Sequence, residues 1–218
     1  MTDDANGRPV AGLCFFRGEA MQKSHNHRKH LTRTEVTRLL QQAAAGRAPE
    51  RDSCLIWMGF IHGCRVSELN GLRMADLDME SGCVYMNRLK NGLSTIHPLE
   101  TTEKNLLTRW LEKRRSCRNL EDEEWLFLSQ KGYRLSRQRI YRMLQAYGKQ
   151  AGLDVDAHPH MLRHACGYAL ADNGADTRVI QDYLGHRNIQ HTVLYTAANA
   201  GRFKHLWKEE KEEENVTI

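Results

Sequence analysis

The spacing of apolar residues along the chain predicts a mainly helical protein. The segment TRTE at 32–35 has the form of a capping box and is followed by apolar residues at helical spacing, so a first helix runs from there to about residue 46. A strongly apolar stretch predicts a second helix over about 51–62, with Gly63 as its stop. Further helices are expected at about 102–115, 136–150, 159–173, 176–184 and 189–197.

One part of the chain has the pattern of a small antiparallel sheet. The stretch RVSELNGLRMADLD indicates a short helix and a turn, and the β-prone runs CVYMNRL and STIHPL follow it. Asn91-Gly92 separates these runs and suits a tight hairpin turn. The pattern contains no internal repeat. The predicted fold class is therefore mainly α (α+β), a helical body with one small antiparallel sheet.

Composition limits the class of protein. The chain has 218 residues, of which 40% are apolar, which suits one soluble domain with a tail. The longest apolar run, CLIWMGFIHGC, is too short to cross a bilayer, and the charged first twenty residues lack the apolar core of a signal peptide. We therefore expect a cytoplasmic protein with no membrane partner. Its six cysteines show no C-x-x-C spacing and are interpreted as reduced thiols.

The charge is distributed unevenly. The formal net charge is +5, and the last eleven residues, KEEKEEENVTI, carry five glutamates and two lysines, which leaves +8 on the rest of the chain. A basic body suits a polyanionic partner, although charge alone does not identify one.

The segment HPHMLRH, residues 158–164, is the richest in chemistry. His160 and His164 have the spacing of zinc-binding histidines on a helix, but the residues between them include no glutamate, and Arg163 would place a permanent cation beside the metal. We therefore expect no metal here. His160 and Arg163 lie one helical turn apart, and imidazole with guanidinium is a combination that suits a phosphate oxyanion.

Other candidate residues are individually ordinary. Arg65 with Glu68 in GCRVSEL, Lys90 at the predicted hairpin, His186 after a glycine and Tyr195 would each be read alone as surface or core residues. Their order along the chain is more informative than any one of them. An arginine, a hairpin lysine, His-x-x-Arg, Leu-Gly-His and a tyrosine nine residues later together resemble the tyrosine recombinase (phage integrase) family.

The resemblance rests on three stretches: GCRVSEL, RLKNGLSTIHPL and HPHMLRHACGYALADNGADTRVIQDYLGHRNIQHTVLYT. It is greatest to the short recombinases that invert a promoter segment to switch fimbrial genes, which lack the core-binding domain of longer members. We expect a flexible leader over 1–30, a catalytic domain with the tyrosine recombinase core fold over 31–205, and a tail over 206–218. The basic, His-rich end of the leader is either a DNA-touching arm or simply disordered, and Met21 is an alternative start.

The resemblance implies an enzyme that cuts and rejoins DNA without metal or ATP, and hence no cofactor. Tyr195 would attack a phosphodiester to give a 3′-phosphotyrosyl bond and a free 5′-hydroxyl. His160 would accept the tyrosine proton, and Lys90 would protonate the leaving oxygen.

The remaining residues of the pattern would bind the phosphate. Arg65 and Arg163 would stabilise the extra negative charge of the transition state, and His186 would donate a hydrogen bond to a non-bridging oxygen. Glu68 would hold its neighbours in place. His164 is expected to be structural, and His158 to belong to the loop before its helix.

The resemblance also implies partners. These are double-stranded DNA with short inverted-repeat sites, three further copies in a homotetramer, and DNA-bending accessory proteins. The basic residues near the 136–150 helix could track the DNA backbone, although Arg137 and Arg139 cannot share one helical face; the set is Arg134, Arg137, Arg139 and Arg142. The same residues fit a phage-type or element-borne integrase, and a non-cleaving DNA-binding regulator of the same fold is a third alternative.

Overall fold

The computed structural model describes residues 28–89, 92–116 and 123–197. Over these residues the chain forms eight α-helices and a three-stranded sheet. The helices are α1 Arg33–Ala44, α2 Pro49–Ile61, α3 Val66–Leu69, α4 Thr101–Arg114, α5 Arg137–Gln150, α6 Pro159–Asp172, α7 Thr177–Leu184 and α8 Gln190–Ala197. The strands are β1 Leu77–Asp78, β2 Cys83–Met86 and β3 Thr95–Pro98. The mainly α class with a small antiparallel sheet is confirmed.

Helix α2 is the centre of the fold. It is apolar on nearly all sides, packs against α1, α4 and α6, and buries most of its residues. A helix with no polar face must be covered by neighbours to be stable in water. Its C-terminal end, next to Gly63, lies beneath the candidate site. Gly63 has a φ of +56°, as the predicted stop after α2 requires.

The local signals at the helix ends match their predicted roles. The Thr32 side chain accepts from the backbone of Glu35, and the Glu35 carboxylate accepts from the Thr32 backbone, as in a capping box. Pro159 lies in the first turn of α6, where the missing N–H has no partner to lose. These local contacts explain why each predicted helix agrees with the structure to within two residues.

The sheet departs from the predicted tight hairpin. β2 ends at Met86 and β3 begins at Thr95, so the two strands pair as the predicted hairpin, but eight residues connect them instead of two; Asn91 itself lies outside the described residues. Val84 pairs with His97 and both face the core, whereas Tyr85 and Ile96 face outward. β1 pairs with β2 and was missed, because two residues are too short to show a period.

Residues 28–30, at the end of the predicted leader, already contact the body. Arg28 pairs with Glu35 of α1, and the His30 ring lies 4.1 Å from the ring of Tyr168 on α6. The chain therefore enters the fold beside α6. None of the helices in the part of the chain that the structure describes is long and apolar enough to cross a membrane.

Candidate active site

Backbone carbonyls at the C-terminal end of α2 anchor two buried arginines. Arg88 Nη2 donates to the carbonyl of His62 at 2.9 Å, and Arg163 Nη1 donates to the carbonyl of Gly63 at 2.6 Å. The last carbonyls of a helix have no partner within the helix, so they are available to accept from side chains. The end of α2 therefore fixes two guanidinium groups that come from a loop and from α6.

Glu68 of α3 joins the arginines into one cluster. Its carboxylate accepts from Arg65 Nη1 at 2.6 Å, from Arg88 Nη1 at 3.1 Å and from the Leu89 backbone at 3.2 Å. Arg163 Nη1 is 3.9 Å away. Burial alone would raise the pKa of Glu68, but hydrogen bonds from Arg65 and the charges of Arg88 and Arg163 hold that pKa below its ordinary value. Glu68 is thus an anion at the centre of three cations.

Arg88 is a member of this cluster that the sequence analysis missed. Its guanidinium also donates to the carbonyl of Tyr183 at 2.6 Å, so it connects α2, α3 and α7. It lies just after β2, two residues before Lys90, where a basic residue is ordinarily interpreted as exposed. No pattern in the sequence distinguishes a buried arginine there from a surface one.

Arg163 is almost completely enclosed, with 1% of its surface exposed. Besides the Gly63 bond, Nη2 donates to the carbonyl of Leu184 at 2.8 Å. Burial, with the nearby cations Arg65 and Arg88, lowers the pKa of Arg163 to about 10, so it remains charged at neutral pH. A cation held by fixed carbonyls in a buried site has little freedom to reorient.

Tyr195 of α8 is also buried, with 1% of its surface exposed. Its ring rests on α6 at Gly167, where an added Cβ would lie 2.6 Å from the Cζ and Cε2 atoms of Tyr195. Tyr168 packs edge-on against the same ring at 5.1 Å. Burial raises the pKa of Tyr195 to about 12, so the hydroxyl is neutral.

The histidines of HPHMLRH occupy three different environments. His164 Nδ1 lies 3.0 Å from the Tyr195 hydroxyl. His160 is exposed, and its ring centre is 4.4 Å from that of His164. His158 is the residue that precedes α6 and stacks on Tyr141 at 6.2 Å, which confirms its place at the start of the helix.

The imidazoles nearest the tyrosine are neutral. Burial, with His160 and Arg163, lowers the pKa of His164 to about 4. The pKa of His160 is also lowered, by partial desolvation of its ring and by the charge of Arg163. A neutral ring keeps one nitrogen free to accept a proton, so either histidine is chemically able to act as a base. The structure places His164, and not His160, against the hydroxyl.

His186, in the turn between α7 and α8, is fixed through one ring nitrogen. Nδ1 pairs with the Thr192 hydroxyl at 2.9 Å, and the ring stacks on Tyr195 with 6.4 Å between centres. Burial, with Arg163 and Arg65, lowers the pKa of His186 to about 3. Because Nδ1 is engaged, Nε2 is the nitrogen left to meet a ligand.

A cleft of about 770 Å³ opens beside these residues. Arg65 and His186 line it, together with three basic residues that the sequence analysis did not single out: Arg178, Arg187 and His191. Gly92 lines the same cleft and lies so close to the turn after α7 that an added Cβ would be 2.8 Å from the Gly185 carbonyl oxygen. Lys90 itself lies outside the described residues.

The basic residues proposed to track DNA are not equivalent. Arg134 lies 3.6 Å above the Trp125 ring and donates to the carbonyl of Asn70 at 2.8 Å, so its guanidinium serves an internal contact. The other three are exposed on or near the first half of α5: Arg137, Arg139 and Arg142. Within the described ranges, no group of three or more His, Cys, Asp and Glu side chains is arranged to hold a metal ion.

Residues 29–202 match the family model described as the phage integrase family. The chain belongs to this family. As a phage integrase family member it is a tyrosine recombinase, and its helical body with a small sheet is the catalytic fold of that class.

Individual proteins of known name are similar to this chain. The chain is 52% identical over 180 residues to the type 1 fimbriae regulatory protein FimB of Escherichia coli (strain K12), which covers 83% of this chain and 90% of FimB. FimE of the same strain is 50% identical over 181 residues, which is 83% of this chain and 91% of FimE. A structure of the XerH site-specific recombinase, bound to its palindromic difH substrate after cleavage, superposes with a TM-score of 0.66 at 26% identity. That match covers 81% of this chain and about half, 52%, of the XerH chain.

Proposed function

We propose that this protein is a site-specific DNA recombinase that inverts a promoter segment controlling fimbrial genes. The observation that carries the proposal is a basic cleft lined by Arg65 and His186, with the buried Tyr195 ring stacked on the His186 ring. Membership of the family supports the chemistry. The names of FimB and FimE, regulators of type 1 fimbriae, support the biological outcome.

The reaction is an exchange of phosphodiester bonds. Tyr195 Oη attacks the phosphorus of the scissile phosphate, the P–O5′ bond breaks, and a 3′-phosphotyrosyl bond forms. His160 takes the phenol proton, and Lys90 supplies a proton to the leaving 5′-oxygen. The 5′-hydroxyl of a second strand then reverses the step and releases the tyrosine. One phosphodiester-type bond replaces another throughout, so no ATP is consumed.

Fixed positive charge stabilises the transition state in this scheme. Arg65 reaches the cleft, while Arg163 is held by carbonyls behind it, and both are tied to Glu68. His186 Nε2 donates to a non-bridging oxygen. Preorganised donors of this kind act on charge that develops only in the transition state, and removing one raises the barrier by about 3 kcal/mol.

Cleavage requires Tyr195 to move. Its hydroxyl lies against His164 in the interior, with almost none of its surface exposed, whereas a DNA phosphate must enter through the cleft. The side chain therefore has to leave His164 before His160 can accept its proton. We place this movement before the chemical step, upon assembly on DNA.

The assembly is a homotetramer on two copies of a duplex site with short inverted repeats, aided by DNA-bending accessory proteins. The exposed arginines of α5, Arg137, Arg139 and Arg142, contact the phosphate backbone without reading sequence. Arg134 contributes less, because it is engaged with Trp125. The segment of about 200–218, which contains Phe203, Leu206 and Trp207 and lies outside the described residues, docks on a neighbouring protomer.

A suicide substrate tests the chemistry. A duplex with the recombination site is nicked close to the cleavage point, so that the cut end diffuses away and the protein stays attached. A covalent adduct that forms in EDTA and is lost in Tyr195→Phe supports the proposal. If the wild-type protein binds this DNA but yields no adduct, it is a non-cleaving regulator of the same fold.

A plasmid assay separates inversion from integration. The promoter segment with its inverted repeats is placed between two reporters, and the orientation is scored after expression of the protein. Inversion that requires both repeats supports the fimbrial switch. Adduct formation without inversion, together with joining of two separate DNA molecules, would favour a phage-type or element-borne integrase.

A further inference from the structure

Three buried polar side chains form a continuous hydrogen-bonded chain behind the arginine cluster. Glu103 Oε1, in the first turn of α4, lies 2.6 Å from His62 Nε2 at the end of α2. His62 Nδ1 lies 3.0 Å from His97 Nδ1 on β3, and His97 Nε2 lies 2.7 Å from the Thr95 hydroxyl. His62 and Glu103 have no exposed surface, and His97 has 1%. None of them can touch DNA.

Every ring nitrogen of His62 and His97 has a hydrogen-bonding partner. Burial, with His62 and Arg88 nearby, lowers the pKa of His97 to about 3, so that ring is neutral and carries one N–H. With the proton on Nδ1, His97 donates to His62 and accepts from Thr95, while His62 donates to Glu103. Buried polar groups without partners are costly, so a satisfied chain of this kind fixes each ring in one orientation.

This series of hydrogen bonds ends at the backbone that holds Arg88 and Arg163. The carbonyl of His62 accepts from Arg88, and the next carbonyl, of Gly63, accepts from Arg163. Holding the His62 ring through both nitrogens therefore fixes the peptide that receives the two guanidinium groups.

A second route leads from the same chain to Arg88. The His97 ring stacks on Tyr183 with 4.0 Å between centres, and the Tyr183 hydroxyl donates to the carbonyl of Ile61 at 3.0 Å. The carbonyl of Tyr183 accepts from Arg88 Nη2. His97 thus supports Arg88 from the side of α7, while His62 supports it from the side of α2.

We propose that His62, His97 and Glu103 are positioning residues that set the geometry of Arg88 and Arg163 from behind the site. The proposal rests on the recombinase function proposed above. Misplacing a catalytic group by about 1 Å can lower a rate by about 10²-fold, so a change in this chain should slow cleavage without weakening DNA binding.

The test compares Glu103→Ala with Glu103→Gln. Glutamine keeps one acceptor oxygen, which can receive the His62 N–H, but its amide nitrogen cannot accept from the Glu100 backbone; alanine removes both acceptors. Glu112→Ala, on the exposed side of α4, is the matched control. Single-turnover cleavage of the suicide substrate is measured at saturating DNA, well below the Tm of each variant, and DNA affinity is measured separately.

Glu103→Ala is expected to cleave at least about tenfold more slowly at unchanged DNA affinity. Glu103→Gln should recover most of the rate, and Glu112→Ala should match the wild type. Thr95→Val should slow cleavage less than Glu103→Ala, and Thr95→Ser should restore it. The proposal is overturned if Glu103→Ala only lowers the Tm and cleaves at the wild-type rate, or if its loss lies in DNA affinity.

A readout without cleavage separates this proposal from the function on which it rests. If the wild-type protein forms no adduct, the recombinase function fails, but the guanidinium N–H resonances of Arg88 and Arg163 still report their geometry. Glu103→Ala should shift these resonances and speed their exchange with water, and Glu103→Gln should do so less. Unchanged resonances in Glu103→Ala would refute the positioning role on their own.

Discussion

Neutralising Glu68 is the sharpest perturbation of the site. Glutamine has the same shape as glutamate, but it carries no charge and replaces one acceptor oxygen with an amide that donates. In Glu68→Gln the amide must face either Arg65 or Arg88, both of which are donors to the carboxylate. One hydrogen bond becomes a donor–donor contact, and the cluster loses its anion.

The size of the effect follows from burial. The Arg88 side chain has no exposed surface and Glu68 has 1%, so the lost charge is not replaced by water. Removing one partner of a buried ion pair typically destabilises a protein by about 3–5 kcal/mol. In the variant, the carbonyls of His62 and Tyr183 still accept from Arg88. We therefore expect the free energy of unfolding to fall by about 3 kcal/mol, the lower end of that range.

The effect should depend on pH with a definite sign. The pKa of Glu68 is lowered in the folded chain, so the carboxylate stabilises the fold above its ordinary pKa of about 4.5. This contribution is lost as the pH falls further, through the folded-state value. The difference in the free energy of unfolding between wild type and Glu68→Gln should therefore have its full size at pH 7 and become smaller below about pH 4.5.

Urea unfolding at a series of pH values measures this difference. Glu124→Gln is the matched control, because Glu124 is 56% exposed and lies 3.6 Å from Arg73 in a surface pair. The control should change the free energy of unfolding by less than about 1 kcal/mol. Equal destabilisation by the two variants, or a Glu68→Gln deficit that does not shrink in acid, would refute the reasoning.

Three further outcomes are expected. Gly167→Ala should lower stability by about 1–3 kcal/mol, because its Cβ would overlap the Tyr195 ring, and calorimetry that finds an unchanged Tm would contradict that packing. His160→Ala should slow suicide-substrate cleavage by about 10²–10⁴-fold while His158→Ala has little effect, and equal rates for the two would remove His160 from the proton transfer. Arg139→Ala should reduce the slope of log affinity against log salt by about 0.9, and a slope equal to that of the wild type would exclude a phosphate contact.

Much of the fold was predictable from the sequence, because its determinants are local. The capping box at Thr32, the proline that opens α6 and the apolar spacing of the helices act within a few residues of one another. The spacing of the tyrosine recombinase pattern is likewise a property of the linear chain. The sequence therefore determined the ends of the helices to within two residues, and it determined the family to which the chain belongs.

Contacts between distant segments were decided only in the tertiary structure. Arg88 is buried because the carbonyls of His62 and Tyr183, 26 and 95 residues away along the chain, accept its protons. Such partners leave no trace in local periodicity. The connection between β2 and β3 is also eight residues long and not the two-residue turn that Asn91-Gly92 suggested, because the register of the two strands ends at the pair Met86 and Thr95.

The histidines of HPHMLRH illustrate the same division. Their one-turn spacing indicated that they share a region of one helix, and both His160 and His164 do lie beside each other on α6. Which of them meets the Tyr195 hydroxyl depends on where α8 packs, and that position is set by Gly167 and Tyr168 on α6. The sequence determined which chemical groups are present. The packing of α8 on α6 determined that the hydroxyl rests on His164, because only the folded chain brings these two residues, 31 positions apart, into contact.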